Sequence, residues 1–176
     1  MGRRIIIGFV AIAATGLPVP SAPPARADAR NTFDGTCRLS GELRFREPLG
    51  NEPRATTFTD TAVGTCTGTL NGVPVNDVPV ANRASGSGTL SCLAGHAATA
   101  DTLTFARRSR LRILTDITGG LTQFAGRFRG AVSGDGIVEV NVLPYADQPL
   151  LEACQAQALR AARYDLVART ITPVVG

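Results

Sequence analysis

Cys92 and His96 stand four residues apart in GSGTLSCLAGH (86–96), and His96 is the one histidine of the chain. A thiol and an imidazole this close can be half of a metal site, a nucleophile with its base, or a structural thiol beside an unrelated loop residue. The other cysteines decide. Cys37, Cys66, Cys92 and Cys154 are separated by 29, 26 and 62 residues, whereas zinc sites draw on ligand pairs about two to four residues apart. The spacing therefore assigns no metal and calls for no cofactor. A Cys92 nucleophile would leave an odd thiol behind. A serine triad would also need His96, and no G-x-S-x-G elbow occurs, although all-β hydrolases need not carry one. The expectation is four structural cysteines, His96 exposed in a loop, and no assigned catalytic residue.

The N-terminus supports that choice. In MGRRIIIGFVAIAATGLPVPSAPPARADA, Arg3 and Arg4 precede an apolar run from Ile5 to Leu17, and small residues close the segment at Ala25-Arg26-Ala27. This is the order of a secretory signal peptide, and the run is short of the roughly 20 residues that span a bilayer. Residues 1–27 are read as the signal peptide, with cleavage after Ala29 as the close alternative, and 28–176 as one secreted domain without a stable membrane anchor. Export permits disulfides, and an even cysteine count suits two of them. A hairpin centred near Gly50 and Asn51 brings Cys37 opposite 63–65, within a slip of Cys66. That leaves Cys92 for Cys154. Each closure is worth ~3–4 kcal/mol in the chain-entropy model.

Carboxylates and arginines carry the remaining chemistry. Asp60, Asp77, Asp101, Asp116, Asp135, Glu139, Asp147 and Asp165 are candidates for the paired carboxylates of a glycosidase, but their spacing promotes no pair. Removing Arg3, Arg4 and Arg26 leaves 15 arginines against 14 acidic residues, a net charge of about +1. Neither nucleic acid nor an anionic membrane is favoured at that balance. The arginines are nonetheless clustered: Arg107, Arg108, Arg110 and Arg112, then Arg127 and Arg129. A hairpin turning at Gly119-Gly120 sets Ile117 opposite Thr122, hence Arg112 opposite Arg127 and Arg110 opposite Arg129. Opposed like charges are unfavourable by tenths of a kcal/mol, with Glu139 diagonal to Arg129 as partial relief. Arg108, Arg110, Arg112, Arg127 and Arg129 thus form a candidate face for an acidic envelope polymer or protein. Both neighbouring Phe residues point inward, which leaves no stacking platform for single-stranded nucleic acid.

The elements that position these residues read mainly as strands. TCRLSGELRF alternates Cys37, Leu39, Gly41, Leu43 and Phe45 with polar residues, the period of a half-buried strand. TTFTDTAVGTCTGTL puts Phe58, Ala62, Gly64, Cys66, Gly68 and Leu70 on one side and mostly Thr on the other, and Asn71-Gly72 supplies a tight hairpin turn. VPVNDVPVA holds two prolines and reads as an edge strand or extended loop. SGTLSC, DTLTFARRSRLRILTDIT (one strand or a broken pair), LTQFAGRFRGAV, GIVEVNVL and ARYDLVARTIT follow. Only YADQPLLEACQAQAL suits a helix, with Asp147 as cap and Pro149 in the first turn. The fold class is mainly β: an antiparallel β-sandwich or small β-barrel of about 7–9 strands with one late helix, disulfide-stapled and read as a monomer.

With GTCTGTL, GSGTLSC and the late EAC, the mature chain resembles small secreted β-rich proteins of high-GC Gram-positive bacteria. The resemblance implies no activity and transfers no site residue. A calycin-like or dirigent-like barrel is compatible with the strand count, a likeness of fold that names no ligand. Three readings of function follow. The leading one is a secreted non-enzymatic binding domain at the cell envelope, which expects no buried polar cluster. The second is a carrier of a small apolar ligand in a barrel, with a cavity bordered by Leu39, Leu43, Phe58, Leu103, Phe105, Phe124 and Phe128. The third is a small hydrolase or isomerase, which needs His96 or an Asp/Glu pair to converge with Ser, Thr or Tyr.

Overall fold

The computed structural model describes residues 30–106, 109–120, 122–144, 149–156 and 159–176. The expected signal peptide, Arg107, Arg108, Tyr145 and Asp147 lie outside them. Nine strands and one helix follow in order: β1 (Thr32–Leu49), β2 (Arg54–Leu70), β3 (Val73–Leu90), β4 (Ala94–Phe105), β5 (Arg110–Gly120), β6 (Gln123–Gly130), β7 (Asp135–Leu143), α1 (Leu150–Gln155), β8 (Leu159–Thr170) and β9 (Val174–Val175). Each of β1 to β8 is antiparallel to its neighbours, and β1 pairs with both β2 and β8. The sheet therefore closes into an eight-stranded barrel, with β9 added against the start of β1. Of the two architectures the alternation allows, it is the barrel, which leaves no open edge along its wall.

The strand alternation translates directly into lumen and outer wall. Paired residues share a face, so Cys37↔Cys66, Leu39↔Gly64 and Phe45↔Phe58 on β1 and β2 all face inward. On β2 the outward set is mostly Thr (Thr57, Thr59, Thr61, Thr65, Thr67 and Thr69), with Ala55 and Val63. Asn71 and Gly72 make the two-residue turn expected of them, with φ of 53° and 77°. The proline-bearing segment 73–81 is neither loop nor separate edge strand but the first half of β3. Its partner β4 begins only opposite Val80, so Pro74 and Pro79 lie on an overhang where no second ladder needs their missing N–H. The long DTLTFARRSRLRILTDIT run is a broken pair, β4 and β5. His96 lies on β4, opposite Thr89 and Thr118, rather than in a loop.

Both ends of the barrel are covered. At one end α1 lies against a cluster of Leu49, Phe58, Leu90, Ala97 and Leu159, with its Ala153 and Cys154 buried. Pro149 takes the cap position of this helix, one step before its expected first turn, and no side chain caps it. At the other end the C-terminal segment crosses beneath Phe33 and Phe105, whose ring centroids are 5.5 Å apart. There Val174 is 1% exposed. Backbone bonds hold this segment: Val132 N–H donates to Val175 O, Val175 N–H to Ser133 O and Gly176 N–H to Asn31 O.

The disulfides are Cys37–Cys66 and Cys92–Cys154, as the spacing argument expects. The first joins directly opposed residues of β1 and β2 inside the lumen. The second ties α1 to the segment after β3. Replacing Cys92 and Cys154 together by Ser should lower the unfolding free energy by about 4 kcal/mol, because a long loop is released in the unfolded chain. Chemical denaturation checks this. The same replacement at Cys37 and Cys66 closes a shorter loop and should cost about 3–4 kcal/mol.

Candidate functional site

Among the described residues the lumen is mainly apolar and carries one polar belt. Asp60 on β2 and Asp101 on β4 both stand opposite Ala84 of β3, so the two carboxylates flank β3 at the same level. Asn82, one inward position away on β3, donates from Nδ2 to Asp60 Oδ2 at 3.2 Å and to Asp101 Oδ1 at 3.1 Å. Tyr164 on β8 donates its hydroxyl to Asp60 Oδ1 at 2.7 Å. Thr99 and Thr115 both donate to Asp101 Oδ2, Thr115 at 3.0 Å. Four side chains from four strands thus feed five hydrogen bonds to two carboxylates, and Asp60, Asn82 and Tyr164 are buried.

Burial raises the Asp60 carboxyl from 3.8 to about 6; the Tyr164 hydrogen bond opposes that rise, the Asp101 charge adds to it, and the Asn82 hydrogen bond again opposes it. Desolvation favours the neutral acid, and a like charge nearby does the same. The Tyr164 phenol is held well above its ordinary value, first by burial and then by the charge of Asp60 and the hydrogen bond to it. Asn82 Oδ1 is the odd member of the belt. It is buried and accepts from no described group. A buried acceptor without a donor costs roughly 1–3 kcal/mol.

The belt borders a cavity of about 90 Å³ whose other walls include Leu39, Leu43, Phe58, Leu103, Phe128 and Val138. A second cavity of about 60 Å³ lies toward α1, and Leu43, Phe58, Ile117 and Val140 line both. Of the residues expected to border a carrier's cavity, Leu39, Leu43, Phe58, Leu103 and Phe128 line the larger one, Phe124 lines the smaller, and Phe105 instead packs on Phe33 at the end of the barrel. The expectation that no polar cluster is buried does not hold.

The sequence-derived candidates fall elsewhere. His96 is exposed on the outer wall, near Glu47, Thr89 and Ala98. Arg110, Arg112, Arg127 and Arg129 all point outward, and Arg108 lies outside the described residues. The arginines are not opposed to one another: Arg127 stands opposite Asp116 and Arg129 opposite Leu114 on one side and Asp135 on the other. Arg112 and Arg110 stand opposite Thr102 and Thr104. The register is four residues from the expected one because the strand runs on through Gly119-Gly120 instead of turning there. A Cβ at Gly119 would lie 2.5 Å from the Phe124 Cα, so this glycine serves close packing between strands, not the turn. Glu139 accordingly stands opposite Ala125 rather than diagonal to Arg129. No group of three or more metal-binding side chains occurs among the described residues.

Reasoning from the sequence missed Asp60, Asn82, Asp101 and Tyr164 as a group, yet the signal was present. Asp60 falls in the inward phase of Phe58, Ala62 and Cys66, Asn82 in that of Val80 and Ala84, and Asp101 in that of Leu103 and Phe105. A polar residue on the apolar phase of a strand is a buried polar residue.

Stability should depend on Asp60 in a particular direction. The folded protein binds its proton more tightly than the unfolded chain, so Asp60's contribution is fully present below about pH 4 and is lost as pH rises to about 6. The groups facing it are Asp101 on β4 and Tyr164 on β8, with neutral Asn82 between. Asp60→Asn should remove this slope and raise the unfolding free energy at pH 7, by on the order of 3 kcal/mol, measured by urea unfolding of both proteins across pH 4 to 7. Compared with known families, curated proteins and solved structures, the chain matches none, so the chemistry of the belt is argued from its geometry.

Proposed function

We propose that the protein is an exported binding barrel that holds a small ligand in its lumen, an apolar body against Leu103, Phe128 and Val138 and a polar head at the Asp60–Asn82–Asp101 belt. The observation that carries this reading is Asn82 Oδ1, a buried acceptor without a donor among the described residues, in a cavity lined beyond the belt and Thr170 by apolar side chains. A few convergent polar groups in an apolar concavity are the usual composition of a small-molecule site. Export is supported by the order of residues in 1–27 and by two disulfides. No helix among the described residues is long and apolar enough to cross a membrane.

The cavity sets the scale of the ligand. An apolar cavity of ~150 Å³ takes up benzene, and the larger cavity here is about 90 Å³. A ligand of a few heavy atoms fits it, and a longer body reaches the second cavity past Leu43 and Phe58. The α1 end is locked by Cys92–Cys154, so exchange proceeds at the end closed by β9, where the β9 backbone bonds and the packing of Val174 with Phe33 and Phe105 must part.

Asp60, with its carboxyl near 6, also favours the isomerase reading, since a base poised near neutral pH transfers protons efficiently. That reading uses the same lumenal ligand and the carboxylate pair rather than His96, and a changed mass or structure of the ligand after incubation distinguishes it from simple carriage. For the binding reading, native mass spectrometry of the exported protein should show a retained small molecule. Leu103→Phe, which fills the larger cavity, should keep the strand circular dichroism and lose that adduct. Equal retention by the variant argues that the ligand sits elsewhere.

A further inference from the structure

The donors and acceptors of the belt are unevenly spent. Both N–H groups of Asn82 are directed at carboxylates, and so are the hydroxyls of Tyr164, Thr99 and Thr115. What remains unspent is acceptor capacity only: Asn82 Oδ1, and the further lone pairs of the two Asp side chains. A ligand head that brings another acceptor finds no donor here.

Charge points the same way. Among the described residues the inward positions of the eight barrel strands carry no His, and the two Arg at or beside that phase, Arg54 at the start of β2 and Arg160 at the β1–β8 register shift, are exposed. The other arginines of β1, β5, β6 and β8 are in the outward phase. Among the described residues the carboxylates of Asp60 and Asp101 therefore share the lumen with no cationic side chain, in surroundings where an uncompensated charge is costly. No group of three or more His, Cys, Asp or Glu side chains gathers here among the described residues, and an ammonium head brings three donors and one positive charge.

Resting on the lumenal reading above, we infer that the ligand is a primary amine in its ammonium form on a small branched or cyclic apolar body, its head received by Asp60, Asp101 and Asn82 Oδ1. The ammonium supplies the missing counter-charge and the missing donor together. A hydroxyl head supplies only the donor, and a carboxylate head opposes both.

Three probes with one body test this by titration calorimetry on the intact, disulfide-bonded protein at pH 7.5: 3-methylbutylamine, 3-methylbutanol and 3-methylbutanoate. The amine should bind at least about tenfold more tightly than the alcohol, in line with the greater strength of charge-assisted hydrogen bonds, and the carboxylate should not bind. Asp101→Asn, which removes a charge, should reduce the amine's advantage over the alcohol, read as the ratio of the two affinities in that variant. If the alcohol binds as tightly as the amine, the inference on the head group fails and the lumenal reading stands. If the carboxylate binds best, the inference likewise fails. If none of the three binds, both are overturned.

Discussion

Closure of the sheet through β1 is the constraint on which the rest depends. Because β1 bonds to β2 along one side and to β8 along the other, the inward phase of each strand is locked to that of its neighbours. A strand cannot slip by one residue without turning its whole apolar set outward. The Cys37–Cys66 bridge fixes that phase covalently at a directly opposed pair. Once it is set, Asp60, Asn82, Asp101 and Tyr164 have no alternative to the lumen, since outward placement of any one would expose Phe58, Leu103 or the rest of its strand's apolar side. The polar belt is held in place by apolar packing above and below it.

The two apolar clusters on either side of the belt do different work. Around Phe33, Phe105, Leu111 and Val174 the lumen is filled by large side chains, and around Leu49, Leu90, Leu150 and Leu159 it is filled with the help of α1. Between them the inward positions are smaller or polar, including Ala84, Gly86, Thr99 and Thr115. The cavity beside the belt follows from that choice of residues. A stably packed barrel of this size can be filled throughout by side chains, and here the filling is interrupted at the level where the carboxylates converge.

How much of this could be read from the chain depends on which interaction decides each feature. Strand phases were legible because burial imposes period two, and they correctly placed Cys37 beside Cys66, Phe124 and Phe128 inward, and the arginines outward. Closure was not legible, because a sandwich and a barrel make the same alternation and differ only in whether β1 finds β8. The β5–β6 register was misjudged because Gly119-Gly120 resembles a turn, while its use is to let Phe124 approach the neighbouring backbone. Parity survived the four-residue error, so the inward set was right although the arginine partners were wrong. Asp60 and Asp101 could be placed on the apolar phase of their strands individually. Their convergence could not, since it follows from the long-range registers of β2 with β3 and of β3 with β4.

Tyr164 has a consequence for observation. The chain contains no Trp and two Tyr, so half of its phenolic chromophores sit in the belt with the hydroxyl bonded to Asp60. Protonation of that carboxylate, or arrival of a charged group beside it, changes the electric field across the ring and hence its near-ultraviolet absorption and dichroism. The barrel therefore carries a spectroscopic gauge at the centre of its own lumen, and the state of the belt can be followed without attaching a label.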